Sequence, residues 1–339
     1  MSYRVTIQPK DHAITVGNHE TVLEAALREG HVLPYSCRGG TCGSCVGRVV
    51  EGEVRYPDDR RPPALSEREA TEGKALFCQA RPASDLVIEV REIDGAGDIQ
   101  VRVLPCRVMR LQRLAPDVMQ MTLRLPATER LQYFAGQYID ILLRDGRRRS
   151  FSLANPPHVD DHLELHVRHV PRGQFSDFVF HNLREKSILR FQGPLGTFFL
   201  RRDSDRPIIM IAGGTGFAPI KAMLEDAFHQ GLDRPVHFYW GARARRDLYL
   251  HNLPQRWAAE RDGFRYTPVL SEPAPGDDWD GRTGWVHAAV AEDYPDLGQH
   301  EVYMSGPPPM IAAAKAVLPG QGLDPERLFY DSFEYAVDD

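Results

Sequence analysis

The chain reads as three domains in series: an α+β domain, a small antiparallel β-barrel, and a doubly wound α/β domain on a parallel sheet. Three observations predict this. Residues 1–94 mix short alternating strands with a capped helix. Residues 99–202 hold short strands separated by turns, and residues 203–339 alternate buried strands with helices. A length of 339 residues suits two or three domains, each able to bury its own core.

In the first domain, residues 3–7 and 13–16 alternate as strands, and residues 21–30 read as a helix. Thr21 is its cap, Glu24 completes a capping box, and Gly30 ends it. Strands are expected at 46–50 and 86–90, followed by the linker Asp94-Gly95-Ala96-Gly97-Asp98, which lacks large apolar side chains. The second domain shows strands at 119–125, 138–143 and 163–167. The third shows a buried strand at 207–212, a glycine loop, a helix at 220–230, and strands at 236–240, 264–270 and 301–305.

Formal net charge is −6, unevenly spread. Residues 99–202 carry 17 basic against 9 acidic side chains, while 1–98 carry 12 against 16 and 203–339 carry 12 against 22. The basic middle segment suits an anionic cofactor or an acidic neighbour, although ordinary solvated faces give the same balance. Nothing in it points to nucleic acid. No apolar run reaches the 18 or so residues of a membrane span. Five cysteines without a secretory signal lead us to expect a reducing cytoplasm.

Three of those cysteines crowd one glycine-rich loop, Cys37-Arg38-Gly39-Gly40-Thr41-Cys42-Gly43-Ser44-Cys45, and a fourth stands at Cys78. C-x4-C-x2-C with a distant fourth ligand is the spacing of plant-type [2Fe–2S] clusters. Gly39, Gly40 and Gly43 are expected to let the backbone wrap the metal and aim N–H groups at the sulfurs. A zinc site would show a close cysteine pair at both ends of the motif, and here Cys78 is alone. Cys106, in a strand-like stretch, reads as a small core residue.

Gly213-Gly214-Thr215-Gly216-Phe217-Ala218-Pro219 follows the most buried strand and opens a helix, the setting in which backbone N–H groups receive a pyrophosphate. Pro219 replaces the usual third glycine but suits a first helical turn. Two more strands end at Gly241-Ala242-Arg243 and Ser305-Gly306-Pro307, so three loops converge on one crevice. In the middle domain Arg149-Ser150-Phe151-Ser152 joins a guanidinium for phosphate, a ring for stacking and two hydroxyls. Gly173-Gln174-Phe175-Ser176 opens a helix, a second place for phosphate. An exposed basic strand and a capped helix would explain the same residues.

To these motifs are added Tyr35-Ser36-Cys37, the segment 135–140, Leu163-Glu164-Leu165-His166-Val167-Arg168, and the segment 193–199. In this order they resemble the flavin-dependent iron–sulfur reductases of the ferredoxin–NADP reductase superfamily. The resemblance is to the version with an N-terminal plant-type [2Fe–2S] ferredoxin domain of β-grasp fold. That family includes reductase components of aromatic-ring oxygenases and the reductases serving CDP-6-deoxyhexose 3-dehydrase. The resemblance implies FAD, a [2Fe–2S] cluster on Cys37, Cys42, Cys45 and Cys78, and NADH as donor, with NADPH as the alternative. Arg149 would pair with the FAD pyrophosphate, Phe151 would lie against the isoalloxazine, and Ser152 would touch its reactive edge. His166, Val167 and Arg168 would line the flavin, while Gly173, Gln174, Phe175 and Ser176 would hold its second phosphate region. Thr215 would sit beside the nicotinamide, with Gly213, Gly214 and Gly216 at the pyrophosphate. Arg243, Gly306 and Pro307 would complete that crevice, and Phe333 would cover the flavin. Ser152, Thr215 and Phe333 are thus the residues nearest the chemistry. The family often has tyrosine where Phe151 stands and cysteine where Ser305 stands. The implied activity is electron transfer from NAD(P)H to a transient partner, an oxygenase or a deoxysugar dehydrase. A zinc-stabilised nucleotide-binding module is the reading from another class, and it predicts a colourless protein.

Overall fold

The computed structural model describes residues 2–93, 95, 97 and 99–334, and it divides into two compact units. Part of the expected linker, at Asp94, Ala96 and Asp98, lies outside the described residues. The first unit runs to Gln100 and includes Gly196–Phe198; the second holds Val101–Leu195 and the chain from Phe199 onward.

In the first unit, β1 (Ser2–Gln8) and β2 (His12–Gly17) form a hairpin, and α1 (Val22–Arg28) follows. Then come β3 (Val46–Glu51), β4 (Val54–Arg55), α2 (Glu67–Thr71), β5 (Lys74–Leu76), β6 (Arg81–Pro82) and β7 (Leu86–Glu89). The five-stranded sheet has the order β2-β1-β7-β3-β5, and β1 and β7 run parallel. The expected capping box of α1 is present. Thr21 Oγ1 accepts from the Glu24 N–H at 3.2 Å, and the Glu24 carboxylate accepts from the Thr21 N–H at 2.9 Å. Such a cap contributes about 1 kcal/mol. It leaves Val22, Leu23, Ala25 and Ala26 to pack on the sheet's core of Val5, Ile7, Ile14, Val16 and Phe77. The packed sheet and helix form the β-grasp arrangement.

The second unit opens with β8 (Arg102–Ala115), β9 (Val118–Arg124), β10 (Tyr138–Leu142), β11 (Arg148–Ser152) and β12 (Leu163–Arg168). α3 (Gln174–His181) and β13 (Ile188–Leu195) complete this part. The order β11-β10-β13-β8-β9-β12 closes into a barrel through a Leu153–Leu165 bridge. Its interior is apolar, with Val108, Met121, Ile139, Leu165, Val167 and Phe191 fully buried. Cys106 belongs to that core, as expected.

A parallel sheet follows: β14 (Ile208–Gly213), α4 (Phe217–His229), β15 (Val236–Ala242), α5 (Asn252–Glu260), β16 (Phe264–Leu270), β17 (Arg282–Thr283) and α6 (Val286–Asp293). β18 (Glu301–Gly306), α7 (Pro308–Val317) and β19 (Leu328–Ser332) end it. The order β17-β16-β15-β14-β18-β19 places the reversal of winding between β14 and β18, where such sheets bind ligands at the carboxyl ends of their strands. α4 begins at Phe217 rather than at 220, because the turn Gly214–Gly216 runs straight into it and Pro219 fits its first turn. Among the described residues, no helix is long and apolar enough to cross a membrane.

Candidate functional site

The cysteine loop brings its four sulfurs together. Cys42, Cys45 and Cys78 are buried, Cys37 is half-buried, and none forms a disulfide. The Gly39 N–H and Thr41 hydroxyl point at Cys37 Sγ at 3.3 and 3.4 Å, and the Ser44 N–H points at Cys42 Sγ at 3.5 Å. Positive φ occurs at Gly40 and Gly43, but at Arg38 instead of Gly39. A Cβ on Gly40 would come within 2.9 Å of Pro62, so the loop's curvature depends on glycine there. Hydrogen bonding from Cys42 holds the Cys37 thiol down to about 4, and Cys45 likewise holds Cys78 down. The same partnerships, together with burial, push Cys42 and Cys45 up. Four crowded sulfurs that share protons, ringed by N–H donors, fit an iron–sulfur cluster, whose irons would take the places of those protons.

The glycine loop is built for close approach. A Cβ on Gly216 would stand 2.0 Å from the Ser305 carbonyl oxygen, and one on Gly213 2.5 Å from Met310 Sδ. Gly214 has φ +53°, and its missing Cβ leaves room for the Arg168 guanidinium, 2.6 Å from where that Cβ would be. Arg168 Nε lies 3.2 Å from Asp117 Oδ2, yet buried Nε and Nη2 make no hydrogen bond. No side chain caps α4; the tight turn Gly214–Gly216 runs into it, and the Phe217 N–H donates to the Gly214 and Thr215 oxygens. A half-buried guanidinium with two N–H donors lacking a hydrogen bond, beside a glycine turn, fits an anionic phosphate. The Gly214 carbonyl accepts from Trp240 Nε1 at 3.0 Å, and Trp240 stacks on Phe217 at 4.1 Å, which fixes the loop from beneath.

On the barrel, β11 pairs with β10, and Ser150 Oγ donates to Asp140 Oδ1 at 2.7 Å. Arg149 is half-buried on the same strand. Phe151 is half-buried and lies 5.4 Å from the Phe175 ring. Ser152 Oγ donates to Asp331 Oδ2 of β19 at 3.3 Å, so the barrel and the parallel sheet meet there. The structure brings Thr215, Ser305 and Gly306 to the same edge, because Gly216 packs on Ser305 and a Cβ on Gly306 would come within 3.0 Å of the Gly213 backbone. The Phe333 N–H donates to the Gly306 oxygen at 2.9 Å, placing Phe333 beside that turn and Pro307. Ser305 Oγ is fully buried without a hydrogen-bond partner. Arg243 stands exposed just past β15.

Four expected residues have their side chains engaged by the protein itself. Val167 points into the barrel core, leaving only its backbone for a ligand. The Ser176 hydroxyl is used inside its own loop, accepting from the Val170 N–H at 3.1 Å and donating to the Gly173 oxygen at 2.9 Å, while Gln174 Oε1 accepts from Arg147 at 2.6 Å. His166 has both ring nitrogens occupied, by Glu164 at 2.8 Å and Tyr249 at 2.9 Å. Burial keeps His166 neutral and holds the Tyr249 phenol well above its usual range, so Tyr249 donates to Nδ1 and Nε2–H donates to Glu164.

That network reaches residues the sequence reading missed. Lys221 Nζ donates to the Ala154 oxygen at 2.9 Å and to Glu225 at 3.0 Å, and stands 3.4 Å from Glu164. Burial alone would raise Glu164; the His166 hydrogen bond and the Lys221 charge override it and hold the carboxyl at about 2. Trp285 was also missed. It is 65 % exposed, directly after β17 at the carboxyl edge of the sheet. Its position between a strand ending in Thr283-Gly284 and a helix was the available signal.

Comparison with known proteins matches three families along the chain. They are a 2Fe-2S iron-sulfur cluster binding domain at 5–83, an oxidoreductase FAD-binding domain at 105–200 and an oxidoreductase NAD-binding domain at 210–316. The chain is 40 % identical to CDP-6-deoxy-L-threo-D-glycero-4-hexulose-3-dehydrase reductase of Yersinia pestis, over 98 % of this chain and 99 % of that protein. It is 38 % identical to the phenol 2-monooxygenase reductase component of a Pseudomonas species, over 100 % of this chain and 96 % of that protein. Among solved structures, the Amycolatopsis cytochrome P450 reductase GcoB superposes with a TM-score of 0.78 at 34 % identity, covering 98 % of both chains. The chain therefore belongs to the family of iron–sulfur flavoprotein reductases built from ferredoxin, FAD-binding and NAD-binding domains. It is an oxidoreductase that uses FAD, a [2Fe–2S] cluster and NADH to transfer electrons.

Proposed function

We propose that this reductase delivers electrons one at a time to a separate oxygenase, a Rieske-type dioxygenase or a monooxygenase, in the cytoplasm and through transient encounters. The domains are taken as 1–94 for the cluster, 99–202 for FAD and 203–339 for the nucleotide. When bound, FAD would supply hydride acceptance and the cluster one-electron transfer. The chain's own residues position that chemistry. The backbone of 213–216 and the Arg168 guanidinium would hold pyrophosphate charge, and Thr215 would lie beside the nicotinamide. Arg149 and the N-terminus of α3 would hold the FAD phosphates, Phe151 would stack on the flavin, and Phe333 would shield it from water. Ser152, oriented by Asp331, presents its hydroxyl to the flavin edge. Trp285 offers its exposed ring to the adenine.

NADH is favoured over NADPH because Arg245 is engaged by the 277 loop through Asp277, and Asp247 places a buried carboxylate beside Arg243. The observation that carries the reading is a four-sulfur nest and a pyrophosphate-shaped glycine loop in one chain. Likeness to the Yersinia protein supports a second reading, in which the acceptor is a CDP-hexulose dehydrase. The test is to reduce the holoprotein anaerobically with NADH and mix it with each purified acceptor. Rapid return of the cluster absorbance with an oxygenase component supports the first reading. Return only with the dehydrase transfers the assignment to the second, and no return with either rejects both.

A further inference from the structure

Three side chains from separate segments of the first unit meet away from the cysteine loop. His12 opens β2, His31 follows α1, and Glu92 lies just past β7. His12 Nδ1 is 3.0 and 2.9 Å from the two Glu92 oxygens, and His31 Nδ1 is 3.3 Å from Oε2. The imidazole centroids are 4.6 Å apart. One ligand atom from each residue lies within 4.8 Å of the other two.

The Glu92 side chain is only 7 % exposed, and the ion pairs that reach it among the described residues come from the two imidazoles. Among the described residues no lysine or arginine pairs with it. A carboxylate so enclosed requires a positive partner. Both rings turn the same nitrogen towards it, which is how three ligands face one ion.

We infer that His12, His31 and Glu92 form a site for one divalent transition-metal ion, with zinc the best match to two imidazoles and a carboxylate. Bonds of about 2.0–2.1 Å at a tetrahedral zinc set its ligands about 3.3 Å apart. The observed N···O separations of 2.9–3.3 Å are already close to that, so an ion would be taken up with little movement of the side chains. Water takes the fourth position. Zinc undergoes no redox change, so the site acts as a clamp. It ties the β1–β2 hairpin and the loop after α1 to the segment leaving β7, where the Ile93 N–H already donates to the Val32 oxygen at 2.8 Å.

A second group, His169, Asp177 and His181, serves as the control, because Asp177 and His181 are each 58 % exposed. The experiment uses the full chain with flavin and cluster loaded, so that the cysteines are occupied. Zinc is buffered at micromolar concentration, and metals are counted after equilibrium dialysis. The expected result is one zinc per chain above the iron. Its X-ray absorption should show nitrogen and oxygen at about 2.0–2.1 Å and no sulfur at about 2.3 Å. His12→Ala and Glu92→Gln should each weaken zinc at least about tenfold while His181→Ala leaves it unchanged. His12 is 43 % exposed, so its replacement leaves the fold intact, which unchanged cluster absorbance would verify. No retained zinc, a sulfur shell, zinc retained in both variants, or loss in His181→Ala would each overturn the assignment.

Discussion

Replacing Lys221 with methionine tests how the barrel is held to the nucleotide-binding sheet. Lys221 projects from α4 to the Ala154 carbonyl and the Glu164 carboxylate of the barrel, and its side chain is 10 % exposed. At 3.4 Å and an effective dielectric of about 20, its attraction to Glu164 is about 5 kcal/mol before the desolvation of both groups is counted. Removing one member of such a buried pair leaves an uncompensated charge and costs about 3–5 kcal/mol. Methionine keeps most of the packing of the lysine stem. The expected loss is therefore about 3 kcal/mol, or a fall of about 6–12 °C in the temperature at which FAD is released, read by flavin fluorescence. Lys221→Met strands both Glu164 and Glu225; adding Glu164→Gln removes the more deeply buried of the two charges while keeping an acceptor for His166, so the double variant should recover about 2 kcal/mol relative to additivity. A loss below about 1 kcal/mol for Lys221→Met, or strict additivity in the cycle, would refute this account of the network.

Glu164 also gives the protein an acid limb. Its folded value of about 2 lies below its ordinary 4.5, so the unfolded chain binds more protons between those values and stability rises with pH through that window. The contribution, about 3 kcal/mol, is complete above about pH 5 and drains away as pH falls towards 2. Glu164→Gln should flatten this slope in urea unfolding followed by tryptophan fluorescence; an unchanged slope would count against it. Gly216→Ala places a methyl 2.0 Å from the Ser305 oxygen, so the loop must move. The KM for NADH should rise at least about tenfold with iron and flavin contents unchanged, and a wild-type KM would show that the loop does not hold the nucleotide. Replacing Cys37, Cys42, Cys45 and Cys78 with serine should spare ferricyanide reduction and abolish cytochrome c reduction. Loss of both activities, or of neither, would contradict the order flavin then cluster.

Local chemistry was the legible part of this chain. The Thr21–Glu24 box, the cysteine spacing and the strand–glycine–helix turn each depend on neighbours within a few residues, and each formed where expected. The start of α4 was misplaced because a glycine pair reads as a loop although Gly214–Gly216 forms a continuous tight turn. α2, with its own Ser66–Glu69 capping box, lacks a buried face and so left no apolar periodicity to read. Barrel closure runs through the Leu153–Leu165 bridge and the Ala154 N–H to Glu164 oxygen bond, and His166 and Tyr249 are joined across 83 positions. Such contacts exist only after the domains pack. The departure at His166 has the same origin: the histidine looked ligand-facing until Tyr249 supplied its second partner.

Anaerobic titration with NADH tests the central claim most directly, that flavin and cluster draw on one donor within one chain. Two electrons for FAD and one for the cluster require about 1.5 equivalents of NADH for complete bleaching of the holoprotein. Bleaching that stops at about 1 equivalent with the cluster absorbance remaining would mean the cluster takes no electrons from the flavin, and absence of bleaching would remove the reductase assignment altogether.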